Sequence, residues 1–90
     1  MATLHLVNRP AAFADCAVAA APGDTILCYE NGVLACLTSH TAIPAVAVVA
    51  LRHDVDAMGI VDLLNDAVGV VDDAGFVDLV ARHSPIVSWS

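Results

Sequence analysis

The sequence predicts a small α/β domain built on a mostly parallel sheet of four to five strands, with helices on both faces. Three observations carry that expectation. Short β-branched runs alternate with Ala- or Asp-containing helical stretches along all 90 residues. Two of those runs, AVAVVA and AVGVV, are apolar at nearly every position, as in strands covered on both sides. The intervening stretches are long enough for crossovers, which parallel neighbours require. No internal repeat or linker interrupts the pattern, so the whole span 1–90 reads as one domain.

In chain order, residues 3–7 (TLHLV) alternate and form a first strand. Asn8, Arg9 and Pro10 make a turn in which Asn8 is placed to cap a helix and Pro10 to occupy its first turn. Residues 11–21 are helical, and Pro22-Gly23 stops them. Phe13, Cys16, Ala17 and Ala20 then share one narrow inward stripe. A second strand covers 25–29 (TILCY). After it, Asn31-Gly32 suits a tight hairpin, while 33–37 (VLACL) equally suits a helical crossover; local pattern leaves both open. Residues 39–43 are a loop, 45–50 a strand buried on both faces, and 52–58 a short helix ending at Gly59. Residues 62–65 form a turn or helical scrap, and 67–71 another buried strand. The helix 72–83 has acids first and Arg82 and His83 last, complementing the helix dipole. Ser84-Pro85 ends it, and 86–89 is a final strand.

Composition excludes several functions. The chain is 59% apolar with a mean hydropathy of +0.78, which excludes disorder. Ten acids face three arginines and no lysine, a net charge of -7. Without lysine there is no Schiff-base amine and no P-loop, and Arg9, Arg52 and Arg82 are too dispersed to hold a nucleic-acid backbone. The position after the first strand lacks the glycines of a dinucleotide site. Ser39 and His40 with any aspartate could be drawn as a hydrolytic triad, but nothing in the spacing brings them together. His5, His40, His53 and His83 have no ligand-like spacing, so no metal and no cofactor is expected. The longest apolar run, 42–51, is too short for a bilayer, which needs about 20 residues. No leader pattern stands at 1–7, and Cys16, Cys28 and Cys36 show no paired spacing, so a cytoplasmic protein with free thiols is expected. Such an apolar small domain also implies surface covered by another protein.

Chemistry has two candidate locations. One is the carboxyl edge of the sheet, carrying Asn8 and Arg9, Glu30 and Asn31, Arg52 and His53, and Asp72 and Asp73; a small ligand-binding module would work there. The other is the cysteines. Cys28 lies in a strand and Cys36 in an apolar segment, both reading as packing residues. Cys16 lies in the second turn of the first helix, where the dipole has faded, Asp15 opposes a thiolate, and Arg9 is the nearest basic group. Its shared stripe with Phe13 reads as burial.

Three stretches together resemble the DsrH/TusB family of sulfur-relay subunits. Gly23-Asp24-Thr25-Ile26-Leu27-Cys28-Tyr29-Glu30-Asn31-Gly32-Val33 is similar to its Gly-Asp-led strand and turn. Ala50-Leu51-Arg52-His53-Asp54-Val55-Asp56-Ala57-Met58-Gly59 is similar to a second motif, with Met58 where the family usually has Arg. Val70-Val71-Asp72-Asp73-Ala74-Gly75-Phe76-Val77-Asp78-Leu79 is similar to a third, followed by His83 and the terminal Trp89. The connection 39–43 is shorter than in relatives. The resemblance implies a Rossmann-like subunit of a heterohexamer with homologous DsrE/TusD-type and DsrF/TusC-type subunits, handing sulfur on to a DsrC/TusE-type acceptor. Such complexes serve sulfur oxidation or 2-thiolation of the tRNA wobble uridine. The resemblance also implies a sulfur-carrying role for Cys16, because DsrH-type members have a cysteine seven residues before the glycine matched by Gly23. In the alternative it implies, the chain is a structural subunit and the reactive cysteine belongs to the DsrE/TusD-type partner.

Overall fold

The computed structural model describes residues 2–38 and 42–90. Five parallel strands form one sheet: β1 (Leu4–Val7), β2 (Thr25–Cys28), β3 (Ala47–Leu51), β4 (Val68–Val71) and β5 (Ile86–Trp89), in the order β4-β3-β2-β1-β5. Three α-helices, α1 (Phe13–Ala19), α2 (Arg52–Met58) and α3 (Asp73–Arg82), connect them with 3-10 segments at Pro10–Ala12, Glu30–Leu37 and Val61–Leu63. The α/β class and the parallel sheet are as the sequence predicts.

Helices do cover both faces, unequally. Strands β1 to β4 are laid down stepwise across the sheet, and their connections pack on one face. That core holds Phe13 and Cys16 from α1, Val33 and Cys36 from the 3-10 segment, Val55 from α2, and Val7, Ile26, Cys28, Val48 and Ala50 from the strands. The return from β4 to β5 carries α3 over the opposite face, where Leu79 packs on Leu4 and Leu27 with Phe76 and Val49 alongside. Each buried Leu or Ile contributes about 1.5–3 kcal/mol.

Several boundaries differ from the sequence reading, each for a local reason. The first helix opens as a 3-10 turn and ends at Ala19, with Ala20 extended; the Ala21 N–H donates instead to the Asp24 carboxylate at 2.9 Å. Asn8 does not cap it: Arg9 holds the cap position and no side chain bonds there. The hairpin alternative at Asn31-Gly32 gives way to the 3-10 crossover, because β2 and β3 run parallel and hairpins join antiparallel strands. Strand β3 begins at Ala47, since Ala45 turns through φ 62 and its carbonyl accepts from Gly23 N–H. Neither apolar run is buried on both faces. In β3 only Val48 and Ala50 are buried, and no residue of the edge strand β4 is. Helix α3 starts one residue later than expected, with Asp72 as its cap accepting Gly75 N–H at 2.8 Å. The helix 52–58 and the strand 86–89 are as predicted.

Gly59 closes α2 with φ 65, a left-handed cap that a side chain resists. No atom crowds its position, so Gly59→Ala measures backbone strain alone: a loss of about 1 kcal/mol is expected in urea unfolding.

Candidate functional site: buried thiols beside a His–Asp–Trp chain

Cys16 projects from α1 into the main core and is fully buried. Burial pushes its thiol up to about 11, and the negative charge of Asp24 adds to the rise. Fully buried Cys28, at the end of β2, and Cys36, in the 3-10 segment, complete a group of three free cysteines in one cluster. The neighbouring Cys36 thiol, together with burial, pushes Cys28 up, while Cys28 draws Cys36 down against the opposing effect of burial.

Beside the thiols runs a polar chain that the sequence reading did not assemble. The Trp89 indole N–H donates to His5 Nδ1 at 3.1 Å. With Nδ1 accepting, His5 is the neutral Nε2–H tautomer, and it donates to Asp24 Oδ2 at 3.0 Å. The Asp24 carboxylate also accepts from Ala21 N–H and, at 3.0 Å, from Thr3 N–H. These bonds hold Asp24 down to about 2, with Ala21 first, then His5, then Thr3, against the opposing effect of burial. Asp24 and Trp89 were visible as parts of a family-like pattern; their link through His5 was not. The available signal was His5 itself, on the inward-pointing phase of β1 with Val7, since a buried imidazole requires partners.

The sheet's carboxyl edge gathers the other candidates without uniting them. Arg52, His53, Asp72 and Asp73 line one open crevice of about 190 Å³, where the connections after β3 and β4 leave on opposite faces. Such a switch point is where ligands bind in open α/β sheets. Asp72 is engaged in capping α3, and the Asp54 carboxylate accepts Glu30 N–H at 2.6 Å, so part of this polarity is structural. Arg9 and Asn31 are exposed, and Asn8 Oδ1 is buried without a hydrogen-bond partner. His83 bridges Leu79 O and Thr25 Oγ1 at 2.7 and 3.0 Å. Ser39 and His40 lie outside the described residues. Among the described residues, no three His, Cys, Asp or Glu side chains are placed to hold a metal ion, and no helix is long and apolar enough to cross a membrane.

A five-stranded parallel α/β sheet with three buried cysteines in its main core defines the class: a small Rossmann-like domain. The family follows from comparison. Residues 8–86 match the model of the DsrH like protein family. Protein TusB of Photorhabdus laumondii is 35% identical over 74 residues, covering 77% of this chain and 78% of that protein. Protein TusB of Cronobacter sakazakii is 32% identical over 72 residues, covering 74% and 76% respectively. The chain belongs to the DsrH family, and with it to the sulfur-relay subunits that its sequence motifs resemble.

Proposed function

We propose that this chain is a scaffolding subunit of a cytoplasmic sulfur-relay complex, assembled with homologous DsrE/TusD-type and DsrF/TusC-type subunits and serving a DsrC/TusE-type acceptor. The reactive cysteine then belongs to the DsrE/TusD-type partner. The observation that carries this reading is the state of Cys16. A thiol held at about 11 is ionised in only about one molecule in ten thousand at pH 7. Persulfide transfer needs a thiolate that reaches the donor's outer sulfur, and Cys16 is fully buried. Exposed apolar side chains support assembly: Val18 is 89% exposed, Val77 65% and Leu63 64%. The net charge of -7 suits protein partners rather than direct contact with tRNA.

A second reading keeps Cys16 as the sulfur carrier. It is favoured by the Cys16–Gly23 spacing and by weak anchoring of α1, a seven-residue helix with no side-chain cap. Transfer through Cys16 then requires α1 to swing off the core.

One experiment separates the two. The complex purified with its partners is incubated with a cysteine desulfurase and cysteine, then mapped by mass spectrometry. Scaffolding predicts a reductant-labile gain of about 32 Da on a partner thiol and none on Cys16. A gain on Cys16 that disappears in Cys16→Ser replaces scaffolding with the carrier reading. Failure to co-purify with any homologous subunit removes both and leaves the ligand-binding module at the carboxyl edge.

A further inference from the structure

Strand β5 lies at the sheet edge, and its backbone ladder runs to β1. Its Ile86, Val87 and Ser88 are exposed, whereas Trp89 is half-buried and packs against the main core. The side chain that fastens β5 is therefore Trp89, and Trp89 is fastened in turn by His5. The indole N–H donates to His5 Nδ1 at 3.1 Å, with the two rings tilted by 38° and their centroids 6.2 Å apart. His5 is 4% exposed, and its other nitrogen is committed to Asp24 Oδ2 at 3.0 Å. This arrangement needs a neutral imidazole, because a ring nitrogen that carries a proton has no lone pair to accept with.

We propose that His5 and Trp89 form an acid-released latch on β5: a proton on His5 Nδ1 expels the indole N–H and frees the edge strand while the rest of the sheet stays folded. A protonated Nδ1 is a donor, so two N–H groups would face each other across the distance that now holds a hydrogen bond. The indole meets His5 with its N–H edge, the positive rim of the ring, so no cation–π attraction replaces the lost bond. The bond on the other side survives. Asp24 stays ionised down to about 2, and Nε2–H still donates to it, now between opposite charges. The other titratable groups on that side of the sheet are Cys16 from α1, Cys28 from β2 and Cys36 from the 3-10 segment; Asp15 of α1 is exposed, and β5 brings none. Asp24 is the group in direct contact. The proton thus cuts one link of the chain and keeps the other, so acid acts on β5 ahead of the β1–β2 core. Opening leaves β1 as the new sheet edge, with its outer backbone groups unpaired. The inference holds whether or not the chain carries sulfur.

The test is an NMR titration of the isotope-labelled full-length protein from about pH 8 to about pH 4, the span in which imidazoles take up protons. Trp89 is the single tryptophan, so its indole N–H gives one unambiguous signal. That signal is expected to shift with the same midpoint as the His5 ring. Its protection from solvent exchange, referred to free tryptophan at the same pH, falls at least about tenfold, and β5 amides lose protection while those of β2 and β3 keep theirs. Coupling is reciprocal, so in Trp89→Phe His5 takes up its proton at higher pH than in wild type, while exposed His53 titrates alike in both. An indole signal that stays put while His5 is protonated overturns the proposal. So does loss of β5 only together with the whole sheet, or identical His5 titration curves in the two proteins. The wild-type titration alone decides if Trp89→Phe does not fold.

Discussion

Gly32→Ala is expected to be among the most damaging single substitutions in this chain. A Cβ at that position would stand 2.1 Å from the Val7 carbonyl oxygen, 2.8 Å from its carbon and 3.2 Å from Arg9 N. All three atoms are backbone, so no side-chain rotation relieves the overlap. Either the 3-10 segment lifts off the sheet or the end of β1 shifts. Lifting the segment exposes Val33 and Cys36, and shifting β1 strains Tyr29 N–H, which donates to the same Val7 carbonyl at 3.0 Å. The cost is at least about 3 kcal/mol, a large part of a small domain's stability. Urea unfolding at neutral pH measures it. Gly69→Ala is the control: its Cβ would meet only a Val49 side-chain methyl at 3.4 Å, and its midpoint should stay near wild type. Equal midpoints for the two variants would show that the close approach at Gly32 does not exist.

Asp24→Asn is expected to cost about 2–4 kcal/mol at pH 7 and to flatten the acid limb of the stability profile. In the wild type, Ala21 N–H and His5 Nε2–H both donate to Oδ2, and Thr3 N–H donates to Oδ1. An amide puts an NH2 group against donors at one of those positions, whichever way it is turned. The pH dependence follows from the same bonds. Asp24 ionises near 2 in the folded protein against an ordinary 3.8, so its contribution is complete above the ordinary value and is lost as pH falls toward 2. Thermal midpoints recorded from pH 5 to pH 2 should therefore fall less steeply in Asp24→Asn than in wild type. Removing the carboxylate also removes its charge from Cys16, so the thiol ionises at lower pH, although burial, the larger cause, still holds it up. Parallel acid limbs for the two proteins would refute this account of Asp24.

Much of the architecture was legible because it rests on local chemistry. Gly59 and Ser84-Pro85 marked real ends, and the acid-to-base polarity of α3 marked a real helix, whereas the first helix ends at Ala19, ahead of Pro22-Gly23. The two apolar runs were read as strands correctly but as doubly covered wrongly. Hydrophobicity reports that burial is tolerated, whereas the number of helices available sets how much of a sheet is covered. Among the described residues α3 is the helix that covers one face, and β4 is left at an edge.

Taken alone, the chain of residues determined the parallel α/β class, the free thiols, the exclusion of lysine chemistry and phosphate cradles, and the family-like motifs around Gly23, Asp24 and Trp89. Tertiary structure decided which of those residues meet. His5 and Trp89 are 84 positions apart, and His5 and Asp24 are 19, yet they form one hydrogen-bonded chain because β1 lies beside both β2 and β5. Only the packed sheet also shows that Cys16 is sealed beneath α1 within reach of the Asp24 charge, while Cys28 and Cys36 are buried in the same core cluster. The physical reason is that a thiol's acidity and reach depend on burial and nearby charge, and both are properties of neighbours brought together by folding rather than of position along the chain.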